Sequence, residues 1–245
     1  MRAPTGAGCA LLAMTLLSSS SFAIEPLGRM RESVNPNGPA GAPPPCPLIP
    51  NRDGTCANYK WYNLCSGYIW LFSTPNLGEA VGVSFGGPSQ PCVAPGKSVK
   101  RGIYYFRNVI PNYGQFMDLY LDEDCDNDGC PEGILGSALN FDPGLRWNCV
   151  NYGVCIPCGG LILREVGHGG IAPTIVTDGP FKTACDPAHP PTHSYYYGIN
   201  GRTCVPWVGV PATAPDDFLM WLIVDDGCVT ATRETSWGSI KGLYR

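Results

Sequence analysis

The chain has 245 residues, of which 44% are apolar and only 15% charged, and its formal charge is −4. That balance leaves little basic surface for phosphates and argues against nucleic-acid binding. The 31 glycines and 25 prolines imply many turns and short strands and argue against long helices.

In chain order, residues 1–23 read as a signal peptide. Arg2 supplies the positive region, Cys9 to Leu17 the apolar region, and Ser21-Phe22-Ala23 a small-x-small cleavage site. Of 13 cysteines only Cys9 lies there. The others are Cys46, Cys56, Cys65, Cys92, Cys125, Cys130, Cys149, Cys155, Cys158, Cys185, Cys204 and Cys228. An even number in an exported chain predicts a disulfide framework rather than reactive thiols. Location is expected to be secreted, extracellular or periplasmic. No later apolar run reaches the roughly 18 residues of a membrane helix, so no membrane span is expected.

Residues 24–45, with Asn35-Pro36-Asn37-Gly38-Pro39 and Pro43-Pro44-Pro45, read as a disordered or semi-extended linker. Residues 46–232 carry the strand candidates and read as one domain. Leu64 to Phe72 sets Tyr68, Trp70 and Phe72 against Ile69 and Leu71, apolar on both faces. Ala80 to Phe85 alternates with Val81, Val83 and Phe85 on one side, and Phe116 to Leu121 does so with Met117, Leu119 and Leu121. Tyr104 to Ile110, Leu161 to Val166, Ile171 to Val176, Tyr195 to Ile199 and Phe218 to Val224 complete the set. Turn clusters such as Pro111-Asn112-Tyr113-Gly114 and Asn200-Gly201 separate them. The expected fold is all-β, a two-sheet antiparallel sandwich of jelly-roll type, rich in disulfides. Residues 233–245 form a tail in which Trp237, Ile240 and Tyr244, after Ser236, predict a short helix.

The acidic stretch Asp122 to Glu132 is the candidate for metal chemistry. Asp124, Asp126 and Asp128 alternate before Gly129, matching the first half of an EF-hand-type loop. The bidentate Glu is missing, since Leu135 occupies its place, and Glu132 is the available substitute. The competing reading is a turn pinched by a Cys125–Cys130 bridge. Cofactors are therefore none, or Ca2+ on Asp124, Asp126, Asp128 and Glu132. Cys155-Ile156-Pro157-Cys158 has the spacing of a redox dithiol, but glycines and a strand follow where a helix should begin. Structural disulfides are the expected reading, with a local bridge among Cys149, Cys155 and Cys158.

Gly82-Val83-Ser84-Phe85-Gly86 fits a nucleophile elbow, and His168-Gly169-Gly170 an oxyanion motif. The elbow needs a helix after Ser84, and Gly86-Gly87-Pro88 opposes one. His189 and His193 read as loop residues. Among the aromatics, Trp61, Tyr105, Tyr196 and Trp207 are candidates for stacking on a ligand, with burial in the core as the alternative.

The run Ser236-Trp237-Gly238-Ser239-Ile240-Lys241-Gly242-Leu243-Tyr244-Arg245, with the acidic Asp126 to Gly133 turn, resembles a type of uncharacterised exported bacterial protein, Cys-rich and strand-rich. The resemblance implies an envelope or extracellular location and no known activity. The function expected is a non-enzymatic binding or structural module, with a glycan or a cell-surface protein as partner. The alternatives are a calcium-assisted carbohydrate-binding module and a secreted hydrolase whose site is assembled only by the fold.

Overall fold

The computed structural model describes residues 30–33, 58–65, 67–72, 77–107, 115–168, 174–178, 192–199, 203–207 and 216–228. The expected signal segment, most of the expected linker, Cys46, Cys56, Cys185, His189 and the expected terminal helix lie outside the described residues.

The strands are β1 Met30–Ser33, β2 Asn58–Tyr59, β3 Tyr68–Phe72, β4 Ala80–Gly86, β5 Ser98–Arg107, β6 Met117–Glu123 and β7 Gly133–Phe141. They continue as β8 Arg146–Cys155, β9 Gly160–Gly167, β10 Thr174–Thr177, β11 Ser194–Tyr197, β12 Cys204–Pro206 and β13 Met220–Asp225. One sheet runs β1-β3-β10-β5-β13-β2, with β8 also paired to β5; the other runs β12-β11-β4-β9-β6-β7. Each pairing is antiparallel, for example β4 with β9 and β6 with β9. The chain passes from one sheet to the other at most connections, as a sandwich of jelly-roll type requires.

Alternation along the strands decides where the core lies. Val81, Val83, Phe85, Met117, Leu119, Leu121, Leu161 and Leu163 point inward from the second sheet. Tyr104, Phe106, Met220, Leu222 and Val224 meet them from the first. Fully burying each aliphatic or Phe side chain contributes about 1.5–3 kcal/mol. The outward face of the first sheet is packed as well: Ile69, Leu71, Ile103, Tyr105, Trp147, Val176, Trp221 and Ile223 form a second buried cluster. The two-faced apolar pattern of β3 is thereby explained. A third, small cluster of Ala80, Ile162 and Tyr197 lies on the outward face of the second sheet. There Gly82 permits close packing, since a Cβ would come within 2.6 Å of the Leu163 carbonyl oxygen.

Several expectations are corrected. Met30–Ser33, inside the expected linker, is strand β1 paired with Tyr68–Leu71 through main-chain hydrogen bonds that need no apolar side chains. β5 begins at Ser98, not Tyr104, because the Lys100-Arg101 pair hides its start. β7 and β8 lie where the sequence offers no strand pattern. Register shifts against β6 disturb the alternation of β7, and Gly153 at φ 64° interrupts β8 beside the irregularity in its pairing with β5.

Candidate functional site

The acidic loop between β6 and β7 lies against the outward face of the second sheet. It is bound there by Cys125–Cys158 and Cys130–Cys204, with Cα separations of 5.3 and 5.7 Å. Gly129, at φ 82°, is pressed onto the Tyr195 ring; a Cβ there would lie 1.9 Å from the ring. Its carbonyl accepts a 2.9 Å hydrogen bond from Tyr197 Oη. The expected Cys125–Cys130 bridge is thus replaced by two long-range ones, because the fold brings the β8–β9 turn and β12 beside the loop. Cys155 bonds Cys228, so Cys155 and Cys158 belong to different bridges and form no redox dithiol. The expected local bridge among Cys149, Cys155 and Cys158 is absent for the same reason.

Ligand oxygens of Asp124, Asp126 and Asp128 lie within 4.8 Å of one another. Asp124 is buried, and its oxygens accept from Ser84 Oγ at 2.6 Å and from the Gly129 amide at 3.2 Å. Burial pushes its carboxyl above the ordinary range, while these two donors pull it back. Asp126 and Asp128 are exposed and close short local turns, Asp126 on the Asp128 amide and Asp128 on the Cys130 amide. Glu132 stands outside the trio, and its Oε2 accepts from the Cys125 amide at 2.6 Å. The loop therefore combines a convergent carboxylate set with hydrogen bonds of its own.

Ser84 is no elbow nucleophile. β4 continues to Gly86 and turns follow, with no helix, so the hydroxyl stays on the sheet and donates to Asp124. His168 pairs with Asp118 at 3.0 Å. His193 stacks face to face on Trp61, centroids 3.5 Å apart, and the Trp61 indole N–H donates to the Ser84 carbonyl at 2.8 Å. Tyr105 is buried, edge-on to Trp147 at 4.8 Å. Trp207 is buried against Phe72 and donates from Nε1 to Asp216 at 2.7 Å. Neither Tyr105 nor Trp207 offers a ring face to a ligand, a correction that follows from their packing into the two clusters. Tyr196 is half-buried, and burial together with Glu79 pushes its hydroxyl up to about 12.

Two polar groupings went unnoticed in the sequence. Asp178, Asp216 and Asp217 are all buried where the two sheets join. Asp178 accepts from the Asn63 and Asp217 amides at 2.9 Å each, Asp216 from Thr177 and Trp207, and Asp217 from the Ser194 hydroxyl and His193 amide. The second grouping is a strip on the outward face of β6 and β9. Arg164 grips Asp122 through Nε at 2.6 Å and Nη2 at 3.0 Å, and its guanidinium lies 4.5 Å from the Tyr120 ring centroid. Burial alone would lower Arg164, but the Asp122 carboxylate outweighs it and holds the guanidinium above its usual value. The one available signal was Asp-x-Tyr-x-Asp, residues 118 to 122, alternating opposite the Arg164 strand.

No protein-family model matches the chain, and no curated protein matches it in sequence. Among solved structures it is similar to the cysteine protease and lectin-like domains of Cwp84, a surface layer associated protein of Clostridium difficile. That likeness has a TM-score of 0.45 and 11% identity, over 69% of this chain and 35% of that one. A Clostridial Cwp84 cysteine protease after propeptide cleavage gives a TM-score of 0.43 and 12% identity, over 69% of this chain and 39% of that one. The match thus spans little more than a third of those chains.

Proposed function

We propose that the protein is a non-enzymatic binding or structural module working in an oxidising compartment outside the cytoplasm. The observation that carries this reading is the state of the cysteines. Cys65, Cys92, Cys125, Cys130, Cys149, Cys155, Cys158, Cys204 and Cys228, all of those among the described residues, are disulfide-bonded. Such density stabilises exported domains and is rare where thiols are kept reduced. The side chains with latent chemistry serve the frame: Ser84 holds Asp124, Ser194 holds Asp217 and His193 backs Trp61. The resemblance of the terminal run to exported bacterial proteins supports an envelope or extracellular location, where a glycan or a cell-surface protein would be the partner. Among the described residues no helix is long and apolar enough to cross a membrane.

The test is to incubate the purified oxidised protein with a panel of esters and glycosides and to screen it on a glycan array, with and without calcium. No turnover is expected. Turnover abolished by Ser84→Ala or His168→Ala would instead establish the hydrolase reading.

The 4.8 Å convergence of Asp124, Asp126 and Asp128 favours a second reading, a carbohydrate-binding module with Ca2+ on this loop. Because Glu132 is engaged by the Cys125 amide and Leu135 replaces the bidentate Glu, binding is expected to be weak. Micromolar calcium should leave the melting temperature nearly unchanged; a large rise, reversed by chelator, would establish a tight site.

A further inference from the structure

We propose that Glu165 is carried as an uncharged carboxylic acid inside the sandwich, so that the module is most stable in mildly acidic surroundings and loosens as the medium turns alkaline. The inference starts from strand geometry. Leu161, Leu163 and Glu165 share one face of β9, and that face is the inner one. Glu165 is 2% exposed, and its Oε2 has no hydrogen-bond partner. Its neighbours in register are Val81 of β4 and Leu119 of β6, both apolar.

The one cation close in sequence is turned away from it. Arg164 is the preceding residue, so it projects to the opposite face, where Asp122 takes two of its N–H groups. From the other sheet, β5 presents Tyr104 and β8 presents Tyr152, their hydroxyl oxygens 2.7 Å apart. Burial pushes both phenols well above their usual range, so they stay neutral as the medium turns alkaline. Near the Tyr152 hydroxyl lie also Asp122 and Arg164, but these two hold each other in a bidentate pair. Among the described residues, Glu165 thus meets apolar neighbours in register and two neutral phenols, while the nearby Asp122 and Arg164 are closed on each other. An ionised Glu165 would be a buried charge without compensation, and burial accordingly pushes its carboxyl well above the usual value.

The direction of the effect follows from linkage. With the folded-state pKa above the unfolded value of about 4.3, the folded state holds the extra proton between those two values. The stabilisation is complete below the unfolded pKa and is lost as pH rises toward the folded one. In that window the folding constant falls by up to about tenfold per pH unit.

The experiment compares the oxidised wild-type protein with Glu165→Gln, which keeps the shape and removes the titration, in urea melts between about pH 5 and about pH 9. The wild-type folding constant should fall at least about tenfold more than the variant's across that range, and the variant should be the more stable at the alkaline end. A second measurement is independent of the variant's folding: the infrared band of a protonated carboxylic acid should persist in the folded wild-type protein at neutral pH and vanish on unfolding. Parallel pH curves for the two proteins, or no such band at neutral pH, would overturn the proposal.

Discussion

Asp217 shows how much of this molecule rests on single polar atoms. Its Oδ1 accepts from Thr192 Oγ1 at 3.2 Å, the His193 amide at 2.8 Å and Ser194 Oγ at 2.9 Å. Asp217→Ala strands the buried Ser194 hydroxyl and the half-buried His193 amide, whereas Thr192 keeps the Asp216 carbonyl at 3.0 Å; a buried unpaired donor costs about 1–3 kcal/mol. The variant should therefore lose about 2 kcal/mol or more, read as a lower urea midpoint at unchanged slope. Gly129→Ala should also destabilise the fold, because the new methyl meets the Tyr195 ring and the residue must keep φ 82°. Both effects were hidden in the sequence, where Asp216-Asp217 and Asp128-Gly129 look like ordinary turn residues. What makes them structural is the approach of β11, which nothing local encodes.

Legibility at the level of elements followed one rule, the survival of alternation. β4 and β6 alternate cleanly, and their inward residues are those the pattern selects; β9 does not, because Ile162 packs outward and Glu165 inward. β7 fails because its register shifts twice against β6, between Met117/Leu119 and between Leu121/Asp122. The same irregularity has a use. β7 is the sheet edge, and bulges of this kind blunt an edge that would otherwise pair with another chain. Disulfide connectivity was illegible for a different reason. The pairs Cys125–Cys158 and Cys130–Cys204 depend on which strands become neighbours, with sequence separations of 33 and 74 residues. Replacing Cys130 and Cys204 together by Ser should cost about 2–4 kcal/mol and expose the loop to proteolysis near Gly129, with β6 and β9 left paired. Limited digestion followed by mass analysis checks this; cleavage spread evenly over the chain would contradict it.

For the whole molecule, the low share of charged residues now has a physical account. The first sheet is packed on both faces, so it consumes apolar residues that a simple two-layer sandwich would leave polar. The candidate site draws on both levels. The Asp124, Asp126 and Asp128 spacing was readable, whereas the buried aspartate junction and the Arg164–Asp122 strip appear only when distant strands meet. Covalent bridges then tie the acidic loop, β8, β12 and the segment after β13 into one frame, which is the basis for proposing an exported binding or structural module. Peptide mapping of the unreduced, alkylated protein recovered from outside the cytoplasm tests that claim most directly. Cross-linked peptides joining Cys125 to Cys158, Cys130 to Cys204 and Cys155 to Cys228 are predicted, with no alkylated cysteine among them. Alkylation at several of these positions, or peptides joining Cys125 to Cys130 or Cys155 to Cys158, would contradict it.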